Sequence, residues 1–131
     1  MTRDTGPSDI AAAALESVCF QTMDLVEAMK QDGAEFSGLR VDGGMTANGY
    51  AMQTLANLVQ TPVVRPAFTE TTVLGAAYLA GLQAGVFSSL DDVQNLWAQE
   101  RQFDVSATAD WAHGRYSQWQ KAVKACRVFT R

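Results

Sequence analysis

The order of patterns between residues 39 and 84 restricts the fold of this chain more than any other feature. Leu39-Arg40-Val41-Asp42 reads as a short strand, because apolar residues alternate with polar ones. Gly43-Gly44 breaks it, and a helical pattern follows from about Thr46 to Val59, with Ala51, Met52, Leu55, Ala56 and Val59 on its inner face. Gln60-Thr61 then turns the chain into Pro62-Val63-Val64-Arg65-Pro66, a second strand held at both ends by proline. Two strands joined by a helix lie parallel, through a right-handed crossover. The chain is therefore expected to be α/β, built on a parallel strand pair.

The flanking segments supply helical cover. From Asp9 to Lys30, Leu15, Val18, Leu25 and Met29 recur at helical intervals, widened by Cys19 and Val26, with Ser8 or Asp9 as cap and Asp32-Gly33 as terminator. Ala11 to Ala14 add helix propensity. After Pro66, the hydroxyls of Thr69, Thr71 and Thr72 can serve the start of a helix reaching about Ala84. That helix carries two small-residue rows, Ala76-Ala80-Ala84 and Ala77-Gly81-Gly85, each on one face. Such rows predict a helix sandwiched between other elements, since mid-helix glycine costs about 1 kcal/mol relative to alanine. Beyond Val86, Ser88 to Asp92 start a short helix through Leu96 and Trp97, and Arg101 to Val105 read as an extended connection. A closing helix puts Ala112, Tyr116, Trp119, Val123 and Cys126 inward and Arg115, Lys121, Lys124 and Arg127 outward.

Composition narrows the partners. The chain has 131 residues and is 47% hydrophobic, enough for one domain with a core. Its formal charge is −4 and its ten basic residues are scattered, so the basic patch that a nucleic-acid backbone demands is missing, as is attraction to anionic lipid. The most apolar window, Val73 to Phe87, falls short of the ~20 residues that span a bilayer. Met1 to Pro7 has no apolar core of a secretory signal, and the default location is cytoplasmic. Cys19 and Cys126 are expected as reduced, buried thiols.

Asp42-Gly43-Gly44-Met45-Thr46-Ala47-Asn48 carries the chemistry. Glycines at the carboxyl end of a parallel strand let a ligand approach the main chain, and a helix starting just after directs free amides toward it. No G-x-G-x-x-G and no Gly-Lys-Ser/Thr is present, so neither a dinucleotide fingerprint nor a P-loop applies. On residue chemistry alone, a ligand site and a plain strand-to-helix turn are both open.

Three motifs resemble those of one family. Leu39 to Gly44 with Asn48 is similar to the adenosine-binding motif of the FGGY carbohydrate kinases, in the actin-like (ribonuclease H-like) ATPase superfamily. Pro62 to Pro66 followed by Thr69 to Gly81 resembles, more narrowly, the glycerol kinases of that family. Asp9-Ile10 with Ala13 to Glu16 resembles the latter half of the family's second signature, and Trp119-Lys121-Ala122-Val123 its C-terminal tail.

The resemblance implies the C-terminal portion of a kinase domain: residues 1–8 extended or disordered, 9–85 the nucleotide-side α/β core, and 86–131 a helical tail. It implies ATP or ADP as ligand, with the Gly44 backbone near adenine or ribose, Gly43 giving clearance, Asn48 offering its amide and Asp42 shaping the turn. Transfer of the ATP terminal phosphate to glycerol would belong to the intact enzyme. The sugar-binding domain, the aspartate base, both phosphate loops and the Mg²⁺ ligands are expected on a missing N-terminal portion, so no catalytic or metal residue is assigned in this chain. A related xylulokinase-like enzyme, or a non-catalytic assembly fragment, are the other readings. Because the first strand lacks its outer neighbour, a two-fold homodimer through that strand or the first helix is expected.

Bland readings stand beside these. Asn48 can simply cap the second helix, and Asp42 can hold the turn. Arg65 can orient a phosphate or end a solvated strand. His113 is expected at the surface, Asp91-Asp92 at a helix start, and Trp97, Trp111 and Trp119 in the core and rim of the terminal helices.

Overall fold

The computed structural model describes residues 1–68, 70–96 and 98–129; the expectations for Thr69 and Trp97 lie outside the described residues. The elements run α1 (Pro7–Gln31), β1 (Leu39–Arg40), a 3₁₀ turn (Gly44–Ala47), α2 (Gly49–Val59), β2 (Val63–Pro66), α3 (Thr71–Gln83), α4 (Leu90–Gln94), β3 (Gln99–Phe103) and α5 (Ala109–Phe129). The sheet has the order β1-β2-β3. β1 and β2 are parallel, with Leu39 opposite Val63 and Arg40 opposite Val64, as the helical crossover requires. β3 lies antiparallel on the other side of β2, with Val63 opposite Phe103 and an irregularity between Arg65 and Pro66. The stretch expected as an extended connection from Arg101 to Val105 is thus, as far as Phe103, a paired strand. It was hidden because Gln99 to Gln102 are polar and exposed, and only Phe103 is buried.

α2 is the centre of the core. Ala51, Met52, Leu55, Ala56 and Val59 are buried as expected, joined by Leu58 and Thr54. α1, α5, β2 and β3 all pack against it. Asn57 ties α2 to the segment before α5, its Oδ1 accepting from the amides of Ser106 at 2.9 Å and Ala107 at 3.2 Å.

α1 begins at Pro7, so Pro7 and Ser8 are helical rather than extended, and Gly6 is the cap residue. Asp9, expected as a cap, instead accepts from the Gly6 amide at 2.8 Å. The helix ends where expected: Gly33 takes φ +91°, and the Ala34 amide reaches back to the Met29 carbonyl at 2.9 Å. The expected stripe is only partly inward: Cys19 and Val26 belong to it and are buried, and Phe20 joins them. Val18, Leu25 and Met29 are exposed. The apolar stripe of α1 is wide, and periodicity alone does not choose which part of it is buried.

Two clamps join α1 to its neighbours. Glu16 accepts from Tyr50 Oη at 2.6 Å and from Arg115 Nη2, linking α1 to α2 and α5. Asp24 accepts from Tyr116 Oη at 2.7 Å and Trp119 Nε1 at 2.8 Å, and the Trp119 ring stacks on Phe20 with centroids 5.3 Å apart. Arg115 therefore faces inward, near the rings of Phe20 and Trp111, and Trp111 itself is 40% exposed. Cys126 is exposed, against expectation, while Cys19 is buried; both are free thiols.

α3 is not sandwiched. Among its described residues none is buried, and Val73 and Leu79 are two-thirds exposed. Part of its glycine pattern has a local cause: a Cβ on Gly81 would sit 2.6 Å from the Phe87 ring, which folds back and meets Tyr78 edge-on. Gly85 at φ +73° makes that reversal, with the Val86 amide on the Gly81 carbonyl at 2.8 Å. In α4, Ser89 and Asp92 form a reciprocal capping pair, which accounts for one of the two acidic residues there.

Candidate nucleotide site at the glycine turn

The parallel pair delivers Asp42-Gly43-Gly44 to the carboxyl end of β1. Gly43 has φ +88° and ψ 167°, a conformation essentially closed to residues with a Cβ. A Cβ on Gly44 would meet nothing within 4 Å, so its backbone faces open space. The turn is closed beneath by Thr46, which is only 2% exposed. Its Oγ1 donates to the Gly43 carbonyl at 2.7 Å, and its amide reaches the same oxygen at 3.1 Å. The amides of Gly44 and Met45 come before the turn's first hydrogen bond and have no partner within it.

Asn48 follows as the N-cap of α2, its Oδ1 accepting from the Ala51 amide at 3.1 Å. The capping role is thus realised through the side-chain oxygen, which leaves Nδ2 as the atom that could face a ligand. Asp42 is exposed and accepts from Thr71 Oγ1, joining the end of β1 to the start of α3. Thr71 spends its hydroxyl there; α3 is preceded by Glu70, which makes no side-chain cap.

Arg65 is neither a free phosphate hook nor a solvated strand end. Nη1 donates to the Thr46 carbonyl at 2.9 Å, Nη2 pairs with Glu100 Oε1 at 2.9 Å, and the guanidinium lies 5.7 Å from the centroid of the Phe103 ring. Sequence reasoning missed this contact. Arg65 and Thr46 are nineteen positions apart, and no spacing rule reaches from a strand to a turn across a crossover.

Gly43, Gly44 and Asn48 share one turn, in which Gly44 is exposed and the other two are half-buried, and three well-formed concavities among the described residues are lined by other residues. A recess of about 160 Å³ lies beside the turn, lined by Arg40, Val41, Asp42, Pro66 and Thr71. An apolar pocket of about 140 Å³ lies between α3 and Ala98, and a groove of about 700 Å³ opens between Asp24 of α1 and the end of α5. Among the described residues no group of three His, Cys, Asp or Glu side chains could hold a metal ion, and no helix is long and apolar enough to cross a membrane. His113 is exposed.

A family profile described as the FGGY family of carbohydrate kinases, C-terminal domain, matches residues 1–84, which include the whole turn. The chain belongs to the FGGY family. Among curated relatives, the glycerol kinase of Marinomonas is 51% identical over 128 residues, covering 98% of this chain and 26% of the relative. The glycerol kinase of Xanthobacter autotrophicus is 55% identical over 128 residues, with 95% and 26% covered. This FGGY domain thus spans about a quarter of the length of the relatives it matches. Among solved structures, Plasmodium falciparum glycerol kinase with ADP superposes with a TM-score of 0.83 at 35% identity, over 95% of this chain and 25% of that one. A xylulose kinase from Lactobacillus acidophilus gives 0.70 at 18% identity over 98% and 25%, a likeness of fold alone. The α/β FGGY fold expected from the motifs is the one observed.

Proposed function

We propose that this chain is the nucleotide-side, C-terminal part of a glycerol kinase, and that Gly43, Gly44 and Asn48 receive the adenosine of ATP or ADP. The observation that carries the reading is the open Gly43-Gly44 turn at the end of a parallel strand, in a fold shared with a glycerol kinase that holds ADP. A flat base needs close backbone and a polar side chain. Gly44 offers the first and Asn48 Nδ2 the second, while Gly43 provides the conformation that exposes both. Because these residues form an open turn rather than a closed pocket, they make one wall of a cleft. The opposite wall belongs to the remainder of the enzyme.

In the intact enzyme the γ-phosphate of ATP passes to glycerol, giving glycerol 3-phosphate. Phosphoryl transfer rests on positioning and on neutralising charge at the moving group. The aspartate base, the phosphate loops, the glycerol site and the carboxylates that hold Mg²⁺ lie on that remainder. This chain's share is to hold the leaving nucleotide in place. By itself it binds ADP weakly and turns over nothing. Consumption of ATP and two reduced thiols suit a cytoplasmic enzyme. As an isolated unit the chain associates as a two-fold dimer through the edge of β1 or the outer face of α1.

An NMR titration of ADP into the chain tests the site. Shifts confined to residues 43–50 are expected. Asn48→Asp keeps the capping oxygen but loses the Nδ2 donor, so it should fold as stably as wild type and bind ADP less well. Equal binding by both would remove Asn48 from the site. Glycerol-dependent ADP release by the chain alone would overturn the view that catalysis needs the rest.

A further inference from the structure

We propose that Arg65 is a positioning residue for the nucleotide, acting through the 3₁₀ turn rather than by touching the ligand; this rests on the reading that the turn receives adenosine. A binding surface made of two consecutive glycines has a physical weakness. Glycine loses more backbone freedom on ordering than any other residue, and a turn that orders only when ligand arrives weakens affinity by that cost. Something outside the glycines must therefore hold them.

The geometry shows what does. Thr46 closes the near end of the turn by bonding the Gly43 carbonyl from both its hydroxyl and its amide. Arg65 then fixes Thr46 itself, through its carbonyl. The guanidinium is in turn held on β3 by Glu100 and lies against Phe103, and its side chain is only 12% exposed. A forked, planar cation suits this task, since one nitrogen can bond the turn while another bonds the sheet. The chain of contacts runs from β3 through Arg65 and Thr46 to Gly43. It makes the glycine backbone as rigid as the sheet.

The test uses the 131-residue chain as Arg65→Met, Arg65→Lys and Glu100→Gln. Hydrogen exchange is read at the Thr46 and Asn48 amides, which bond within the turn, and ADP affinity by NMR titration. Arg65→Met should speed exchange at these two amides at least tenfold, with the amides of α2 unchanged, and should weaken ADP about tenfold, the size expected for losing one charge-assisted hydrogen bond. Arg65→Lys, which keeps one donor, should recover part of both. Glu100→Gln leaves the bond to Thr46 and keeps a side-chain oxygen that can accept from Nη2, so it should stay within about twofold of wild type. Unchanged exchange in Arg65→Met would overturn the proposal, as would Glu100→Gln losing as much as Arg65→Met. If wild type binds no ADP, the nucleotide reading fails separately, and exchange alone still upholds or rejects the brace.

Discussion

At Gly43 the backbone angle, not the space around it, restricts the residue. A Cβ there would meet nothing within 4 Å, yet φ +88° strains any L side chain. Gly43→Ala should destabilise the fold by about 1–3 kcal/mol, read as a lower urea midpoint at unchanged slope. Gly44 has no such angle, so Gly44→Ala should leave the midpoint nearly unchanged, and in the proposed site its added methyl would stand in the way of the base and weaken ADP binding. A matching loss of stability in both variants would refute this division. Asn48→Ala removes the α2 cap and should cost about 1 kcal/mol. The two thiols also part. Burial, reinforced by Glu16, pushes Cys19 up to about 11, while Cys126 is exposed. A maleimide should label one thiol in the native chain and two in denaturant; rapid native labelling of both would contradict the buried position of Cys19.

Between elements, the α1–α5 contact sets a pH window. The Tyr116 phenol is pushed up to about 12 from 10.0, first by burial and then by its hydrogen bond to Asp24. The folded state therefore keeps a proton that the unfolded chain releases. This contribution is complete below about pH 10 and is lost as pH rises toward 12. Stability of wild type should fall more steeply across that window than stability of Tyr116→Phe, measured by urea unfolding at stepped pH. Parallel curves would show that Tyr116 is not the linked group. At this same scale the sequence was a partial guide. The inner face of α2 was legible because only one side of that helix is apolar enough to bury. On α1 the apolar stripe is wider than the contact with α2 can cover, so Cys19 and Val26 of the expected stripe are buried together with Phe20, while Val18, Leu25 and Met29 stay exposed. β3 was illegible because its polar residues are recruited by the free edge of β2 and not by burial.

For the whole molecule, the outstanding property is apolar surface left outside the core. Val18, Leu25 and Met29 on α1, and Val73 and Leu79 on α3, are all exposed. Surfaces of this kind bury themselves against more polypeptide. Sedimentation equilibrium should show the isolated chain self-associating with rising concentration, and Leu25→Glu should shift it toward monomer. A wild type that stays monomeric at high concentration would count against association through α1. The strand–glycine–helix–strand order, the parallel pairing and the family motifs could be read without coordinates, because each depends on residues close in the chain. The choice of buried face on α1, the third strand, and the grip of Arg65 on the Thr46 carbonyl needed the folded molecule. Each is a contact between distant segments, and the winner among competing partners is set by which surfaces the core brings together.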